Sequence, residues 1–153
     1  MATVANSNQV LVVYSTKYGS TREVAEAVAG ELRTASIPVY VQPAREVRTL
    51  EGYRAVVLGT ALRIGHWYKD TDWQACRVNL DKEVAKTPWL KPVAVELFGG
   101  KYDPTKLRGL DKLLAWMPGT PLKGMPATDV RDFTAIKAWA GNLATLLQAS
   151  APQ

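Results

Sequence analysis

The stretch Val-Leu-Val-Val-Tyr-Ser-Thr-Lys-Tyr-Gly-Ser-Thr, residues 10–21, decides the fold class of this chain. Its first five residues form an uncharged, largely β-branched run, which is typical of a strand buried on both faces. The next seven residues are mostly small or hydroxylated, and a helical pattern begins directly after them. Where a parallel strand leads into a helix, free backbone N–H groups and the positive end of the helix dipole converge beside these hydroxyls. The stretch therefore predicts an anion site, and phosphate is the expected anion.

The spacing within this turn excludes two common phosphate-binding sequences. The chain has no G-x-x-x-x-G-K-[ST] string, which nucleoside-triphosphate loops need. It also lacks the G-x-G-x-x-G string of dinucleotide-binding turns, because Gly19 is the only glycine in the turn. A plain strand-to-helix turn with Ser20 or Thr21 as N-cap remains open as the alternative to a phosphate site.

Composition indicates one soluble globular domain. The chain has 153 residues, of which 47% are hydrophobic and 22% are charged. We expect a flexible N-terminus over 1–8, the folded domain over 9–149 and a tail over 150–153. No apolar stretch approaches the ~20 residues that span a bilayer. Residues 1–9 lack the basic and apolar segments of a secretory signal, and the lone Cys76 excludes an intramolecular disulfide and a cysteine metal cluster. The expected compartment is the cytoplasm, and no metal site is expected.

The surface is moderately basic, with a net charge of +5 and a pI near 9.4. Lysine and arginine cluster locally at Lys101, Lys106, Arg108 and Lys112. Such a cluster could attract nucleic acid, anionic lipid or an acidic partner, but an ordinary solvated surface is the favoured interpretation. No recognised nucleic-acid-reading module is present, so no nucleic-acid partner is expected.

Hydrophobic periodicity predicts an α/β fold. The first sixty residues carry strand patterns over 10–14, 37–41 and 55–58 and a helix pattern over 21–35, and residues 43–53 are predicted as a loop or short helix. Further on, a helix is favoured over 70–86, with a short strand over 76–80 as the alternative. A strand over 93–98, a helix beginning at Pro104 with its leucines on an inner face, and a final helix capped by Asp132 or Thr134 follow. We expect a doubly wound parallel sheet of four to five strands in the order 2-1-3-(4)-5, with helices on both faces.

The loop after the third strand is the second segment expected to line the ligand site, because ligands of open α/β sheets bind beyond the carboxyl ends of the strands. Thr60, Ala61 and Gly65 are small enough to allow a close approach to a flat ligand, and Trp67 offers a stacking surface. His66, the only histidine, could carry a proton near neutral pH. The alternatives remain open: His66 and Arg63 could be solvated side chains, and Trp67 could be a packing residue.

Five short strings of the sequence carry a family resemblance. Residues 15–21, Ser-Thr-Lys-Tyr-Gly-Ser-Thr, resemble the phosphate loop of flavodoxins, which hold the monoester phosphate of FMN with hydroxyls and backbone amides. The strings 63–67, Arg-Ile-Gly-His-Trp, and 98–104, Phe-Gly-Gly-Lys-Tyr-Asp-Pro, resemble the flavodoxin-type protoporphyrinogen oxidase family, whose members include quinone-dependent enzymes. The strings 130–133 and 136–140 are similar to the last helix of that family. In that family a helix and a further central strand precede the Phe-Gly-Gly string, and residues 68–91 are too few for both at usual lengths.

The resemblance implies noncovalent FMN and redox chemistry at the flavin. It implies a cofactor site made of Ser15, Thr16, Lys17, Gly19, Ser20, Thr21, Thr60, Ala61, Leu62, Arg63, Gly65, His66, Trp67, Gly99, Gly100 and Tyr102. Candidate catalytic residues are His66 and Arg63. The expected function is an FMN-dependent oxidoreductase with a redox partner or a small-molecule substrate, for which quinone and porphyrinogen are candidates. Two alternatives stay open: an FMN electron-transfer shuttle, and a noncatalytic protein of this fold that forms a homodimer through exposed sheet edges.

Overall fold

The computed structural model describes residues 8–61, 70–120 and 122–150. The chain divides into two compact units. The first unit comprises Met1–Ala61, Phe98–Lys101 and Asp129–Gln153, and the second comprises Leu62–Leu97 and Tyr102–Thr128. None of the helices in the described ranges is both long enough and apolar enough to cross a membrane.

A three-stranded parallel sheet forms the centre of the first unit. Strand β1 (Gln9–Ser15) lies between β2 (Val39–Pro43) and β3 (Tyr53–Thr60), so the order is β2-β1-β3. Leu11 is the Cα partner of Tyr40 on one side and of Val56 on the other. The α/β class and the 2-1-3 order predicted from the sequence are confirmed.

Two helices complete the first unit and cover its core. Helix α1 (Ser20–Thr34) and helix α4 (Phe133–Ala149) contact each other, and α1 also contacts all three strands. Both helices bury an apolar stripe, as their sequence period predicts. The core includes Val10, Leu11 and Val12 from β1, Ala25, Val28, Ala29 and Leu32 from α1, and Ile136, Ala140, Leu143 and Ala144 from α4. Each fully buried Leu or Ile in this set contributes about 1.5–3 kcal/mol of transfer free energy.

Hydrogen bonds form at both ends of α4 within the first unit. Asp132 caps α4, accepting hydrogen bonds from the Thr134 amide at 2.9 Å and the Ala135 amide at 3.0 Å. Of the two predicted caps, the structure therefore selects Asp132. At the other end of α4 the guanidinium of Arg54 donates to the Leu147 carbonyl. Gln148 donates from Nε2 to the Ala35 carbonyl at 3.0 Å.

Helix α2 (Asp70–Ala85) lies in the second unit. It confirms the favoured helix, and the alternative strand over 76–80 is wrong. The predicted strand over 93–98 is also wrong, because this segment forms no ladder with any other described segment. The 93–98 segment is contacted by Arg77, which donates to the Val95 carbonyl at 3.5 Å and lies 3.8 Å from the Glu96 carboxylate.

The predicted helix from Pro104 is partly wrong. A single 3-10 turn, Pro104–Lys106, is followed by helix α3 (Gly109–Trp116), which begins at a glycine with φ of 56°. The inner face predicted for its leucines is wrong as well, since Leu110 is 68% exposed and Leu113 is 49% exposed. Two short strands, β4 (Lys101–Tyr102) and β5 (Thr128–Asp129), form a separate two-stranded sheet.

Candidate functional site

The carboxyl ends of β1 and β3 lie side by side where the sequence predicts the anion site. Ser15, the last residue of β1, is the Cα partner of Thr60, the last residue of β3. The chain then turns into α1 within four residues, and the Thr16 Oγ1 accepts a hydrogen bond from the Gly19 amide at 2.9 Å. Gly19 has φ of 91°, a left-handed conformation that favours glycine over other residues. The turn is therefore held in one conformation by a hydroxyl and a glycine.

The start of α1 differs from the start of α4 in how its amides are satisfied. Among the described residues, no side chain caps α1. Helix α4, by contrast, has the Asp132 carboxylate on two of its first amides. The first amides of an α-helix have no partner inside the helix, so they require a side chain, water or a ligand. The first two residues of α1, Ser20 and Thr21, carry hydroxyl groups, and both residues are half-buried.

Thr21 also brings the first turn of α1 against β3. Its Cγ2 atom lies 3.5 Å from the position that a Cβ at Gly59 would occupy. The Val13 carbonyl oxygen lies 3.7 Å from the same position. Both are ordinary van der Waals distances, so the first turn of α1 lies beside the end of β3. Ser15, Thr16, Gly19, Ser20, Thr21 and Thr60 therefore lie at one end of the sheet.

Lys17 is the cation within the turn itself. Its side chain is exposed, and the Nζ atom lies 5.3 Å from the centroid of the Tyr18 ring. A lysine over a tyrosine face at this distance contributes about 0.5–1 kcal/mol at an exposed site. The contact keeps a positive charge on the turn next to the helix start.

A buried arginine, which the predicted site did not include, stands beside the same helix start. The Arg131 side chain is only 4% exposed, and its Nη1 lies 2.5 Å from Glu23 Oε2 in the first turn of α1. The same Nη1 donates to the Ser20 carbonyl at 3.3 Å. On its other edge Arg131 forms a bidentate pair with Asp129, at 2.8 Å from Nε to Oδ1 and 2.6 Å from Nη2 to Oδ2.

The pairing of Arg131 with Asp129 shifts the pKa of both side chains. The hydrogen bond from Arg131 lowers the pKa of Asp129 from 3.8 to about 2. The hydrogen bond to Asp129 raises the pKa of Arg131 above its ordinary value. The guanidinium carbon also lies 5.1 Å from the centroid of the Phe133 ring, over its face. Arg131 and Glu23 are 108 positions apart, so no local pattern could pair them; the only sequence signal was the Val-Arg-Asp-Phe string at 130–133.

Gly99 and Gly100, which were predicted to belong to the cofactor site, both lie against Val130. A Cβ at Gly99 would lie 1.9 Å from the Val130 carbonyl oxygen. The Gly100 carbonyl accepts a hydrogen bond from the Val130 amide at 3.0 Å.

Tyr102, the third predicted site residue in the 98–104 string, is buried in the second unit, and burial raises the pKa of its phenol. Asp103, which follows, accepts from the Thr105 amide at 3.0 Å and from its hydroxyl at 2.6 Å, so it caps the 3-10 turn.

The loop after β3 is described only at its beginning. Thr60 and Ala61 are exposed. The predicted site residues Leu62, Arg63, Gly65, His66 and Trp67 lie outside the described residues. Both candidate catalytic residues, His66 and Arg63, are therefore still predictions.

Comparison with known families agrees with the sheet and the turn. Residues 11–73 match the flavodoxin domain. The match begins in β1 and includes the turn, α1, β2 and β3, while Gly99, Gly100, Tyr102 and the Arg131 network lie outside it. It supports a flavin cofactor and a redox role in general terms. No curated protein matches this chain.

Proposed function

We propose that this chain binds FMN, with the phosphate of the cofactor at the turn between β1 and α1, and that it acts as an FMN-dependent oxidoreductase. The observation that carries the proposal is the helix start of α1, which no described side chain caps and whose first two residues, Ser20 and Thr21, carry hydroxyls. The flavodoxin-domain match over residues 11–73 supports the same assignment, because it includes this turn.

The donor set at the turn suits a phosphate monoester. Such a group offers several strong acceptor oxygens and a negative charge. The chain offers the amides of the first turn of α1, the hydroxyls of Thr16, Ser20 and Thr21, and the charge of Lys17. The positive end of a 15-residue helix adds to the attraction. Gly19 and the Thr16 bond would fix the turn before the ligand arrives, which reduces the ordering cost of binding.

Bound FMN would supply one- and two-electron redox chemistry. The residues of the chain would anchor the phosphate, and the ends of β1 and β3 would orient the remainder of the cofactor along the exposed edge at Thr60 and Ala61. We also propose that Arg63 or His66 places positive charge near the ring, which would favour its reduced, anionic form. Trp67 would provide a stacking surface.

The proposed substrate class is a quinone or a porphyrinogen, which follows from the motifs at 63–67 and 98–104. A turnover assay with flavin-loaded protein, a chemical reductant and a menaquinone analogue tests the quinone. Turnover with the quinone supports an enzyme. Electron transfer to a one-electron acceptor such as cytochrome c, without quinone turnover, supports the shuttle instead.

The test of FMN binding compares FMN with riboflavin, which lacks the phosphate. Flavin fluorescence is titrated with the purified protein, and FMN is expected to bind at least about tenfold more tightly, since charge-assisted hydrogen bonds contribute about 1.5–3 kcal/mol each. Ser20→Ala should reduce this preference. Thr34→Ala is the matched control, because the Thr34 hydroxyl lies at the other end of α1, on the Gly30 carbonyl.

Absence of quenching by either flavin would refute the proposal. That outcome would favour the noncatalytic alternative, which one observation also supports: the parallel sheet in the described residues has three strands. A sheet of this width offers fewer strand ends to enclose a flavin ring than the sheet of four to five strands that the sequence predicts.

A further inference from the structure

Arg131 connects the segment before α4 to the proposed phosphate turn. Its Nη1 contacts two atoms of the first turn of α1, the Ser20 carbonyl oxygen at 3.3 Å and Glu23 Oε2 at 2.5 Å. The bidentate pair with Asp129 fixes the plane of the guanidinium. With only 4% of its side chain exposed, Arg131 has little freedom to move away from these partners.

The position of Glu23 creates an electrostatic conflict that Arg131 resolves. A carboxylate in the first turn stabilises an empty helix, because it interacts with the positive end of the dipole. The same carboxylate repels a second anion at that helix end. The Glu23 side chain is 48% exposed, so solvent screens it only partly. The guanidinium at 2.5 Å offsets part of this charge, because the same cation also pairs with the Asp129 carboxylate.

We propose that Arg131 is a positioning residue for phosphate binding: it offsets part of the negative charge of Glu23 and holds the first turn of α1 in place for a dianionic ligand. This inference rests on the proposed function, since it assigns a role at the same turn. Arg131 does not contact the ligand in this assignment. It acts through Glu23 and through the Ser20 carbonyl.

The test separates charge neutralisation from simple structural support. Arg131→Gln is titrated with FMN and with riboflavin, and FMN affinity is expected to fall about tenfold while riboflavin affinity stays within twofold, because only FMN carries the phosphate charge. Glu23→Gln in the Arg131→Gln background should recover most of the lost FMN affinity. A merely structural role would not produce this rescue, because the second substitution restores no contact.

Arg33→Gln serves as the matched control. Arg33 lies in the last turn of the same helix, 4.0 Å from Glu26, and its side chain is 49% exposed. Its removal changes the net charge of the protein by the same amount, and FMN affinity should stay within twofold of wild type. If Arg131→Gln does not fold, Glu23→Gln alone provides the test, and its FMN affinity should equal or exceed that of wild type.

The outcomes distinguish this inference from the proposed function. If wild type does not prefer FMN to riboflavin, the proposed function fails, and the inference fails with it. If wild type prefers FMN and Arg131→Gln keeps that preference, only the inference is overturned. Equal losses for FMN and riboflavin, or a double variant without recovery, or a Glu23→Gln variant that binds FMN more weakly, also overturn it.

Discussion

Replacement of Gly99 by alanine should destabilise the first unit through a clash with its own backbone. The new Cβ would lie 1.9 Å from the Val130 carbonyl oxygen, 2.7 Å from the Val130 carbonyl carbon and 3.2 Å from Val130 Cγ2. The first two of these atoms belong to the main chain, so a change of rotamer cannot relieve the contact. The two segments must separate by about 1.5 Å to reach an ordinary van der Waals distance.

The expected cost has two parts. Forcing extra volume into a packed contact costs about 1–3 kcal/mol. Separation of the segments would also lengthen the hydrogen bond from the Val130 amide to the Gly100 carbonyl, which is 3.0 Å long. Loss of that bond would add about 1 kcal/mol. Gly99→Ala should therefore lower the free energy of unfolding by about 2–4 kcal/mol.

Urea unfolding followed by far-UV circular dichroism measures this difference, with the slope of the transition checked for equality between variants. Gly30→Ala is the matched control. Gly30 is exposed within α1 and a Cβ there meets nothing within 4 Å. The control should gain up to about 1 kcal/mol from the higher helix propensity of alanine. If Gly99→Ala unfolds at the same urea concentration as wild type, the assigned role of Gly99 as a backbone-contact residue is refuted.

Two further predictions concern Asp132 and Asp129. Asp132→Ala removes the acceptor for the Thr134 and Ala135 amides and should cost about 1 kcal/mol in unfolding free energy; a urea midpoint equal to that of wild type would contradict the capping role. Asp129 has a pKa of about 2 in the folded protein, below its ordinary 3.8, so its bond to Arg131 stabilises the fold above about pH 4 and this contribution is lost as the pH falls through about 2. Thermal unfolding from pH 2 to pH 6 should therefore show Asp129→Asn to be less stable than wild type at pH 6, with most of this difference gone at pH 2. An undiminished stability gap at pH 2 would contradict the assignment.

The parts of the fold that the sequence predicted are those set by local patterns. The uncharged run in β1 indicated a strand buried on both faces, and Val10, Leu11 and Val12 are at most 1% exposed. The apolar period of α1 and the Asp132 cap of α4 were equally local signals. Each depends on residues within one or two turns of each other, where spacing determines geometry.

The failures concern features that depend on distant contacts. The leucines of α3 have a helical period, but period alone does not reveal whether another element covers that face; Leu110 and Leu113 are exposed. The run at 93–98 reads as a strand, but it has no ladder partner in the described part of the chain, and Arg77 holds its backbone instead. That Gly99 lies near a ligand stays a prediction; the structure shows that a Cβ there would lie 1.9 Å from the Val130 carbonyl oxygen.

At the candidate site, the sequence predicted the turn between β1 and α1 but not the presence of Arg131 beside it. The hydroxyls and Gly19 stand in one continuous stretch, so a single strand-to-helix junction was enough to bring them together. Arg131 reaches that junction from the other end of the chain, and only the folded arrangement of α1 and α4 brings it near Glu23.

The contact between α1 and α4 has a consequence for biosynthesis. Residues 9–60 contain the three parallel strands and α1, whereas α4, which contacts α1, begins only at Phe133 and so leaves the ribosome later. A nascent chain thus carries Ala25, Val28, Ala29 and Leu32 without α4 until that helix has been synthesised. During that interval the apolar stripe of α1 is exposed, and we expect the nascent chain to depend on holding chaperones until residue 149 has emerged.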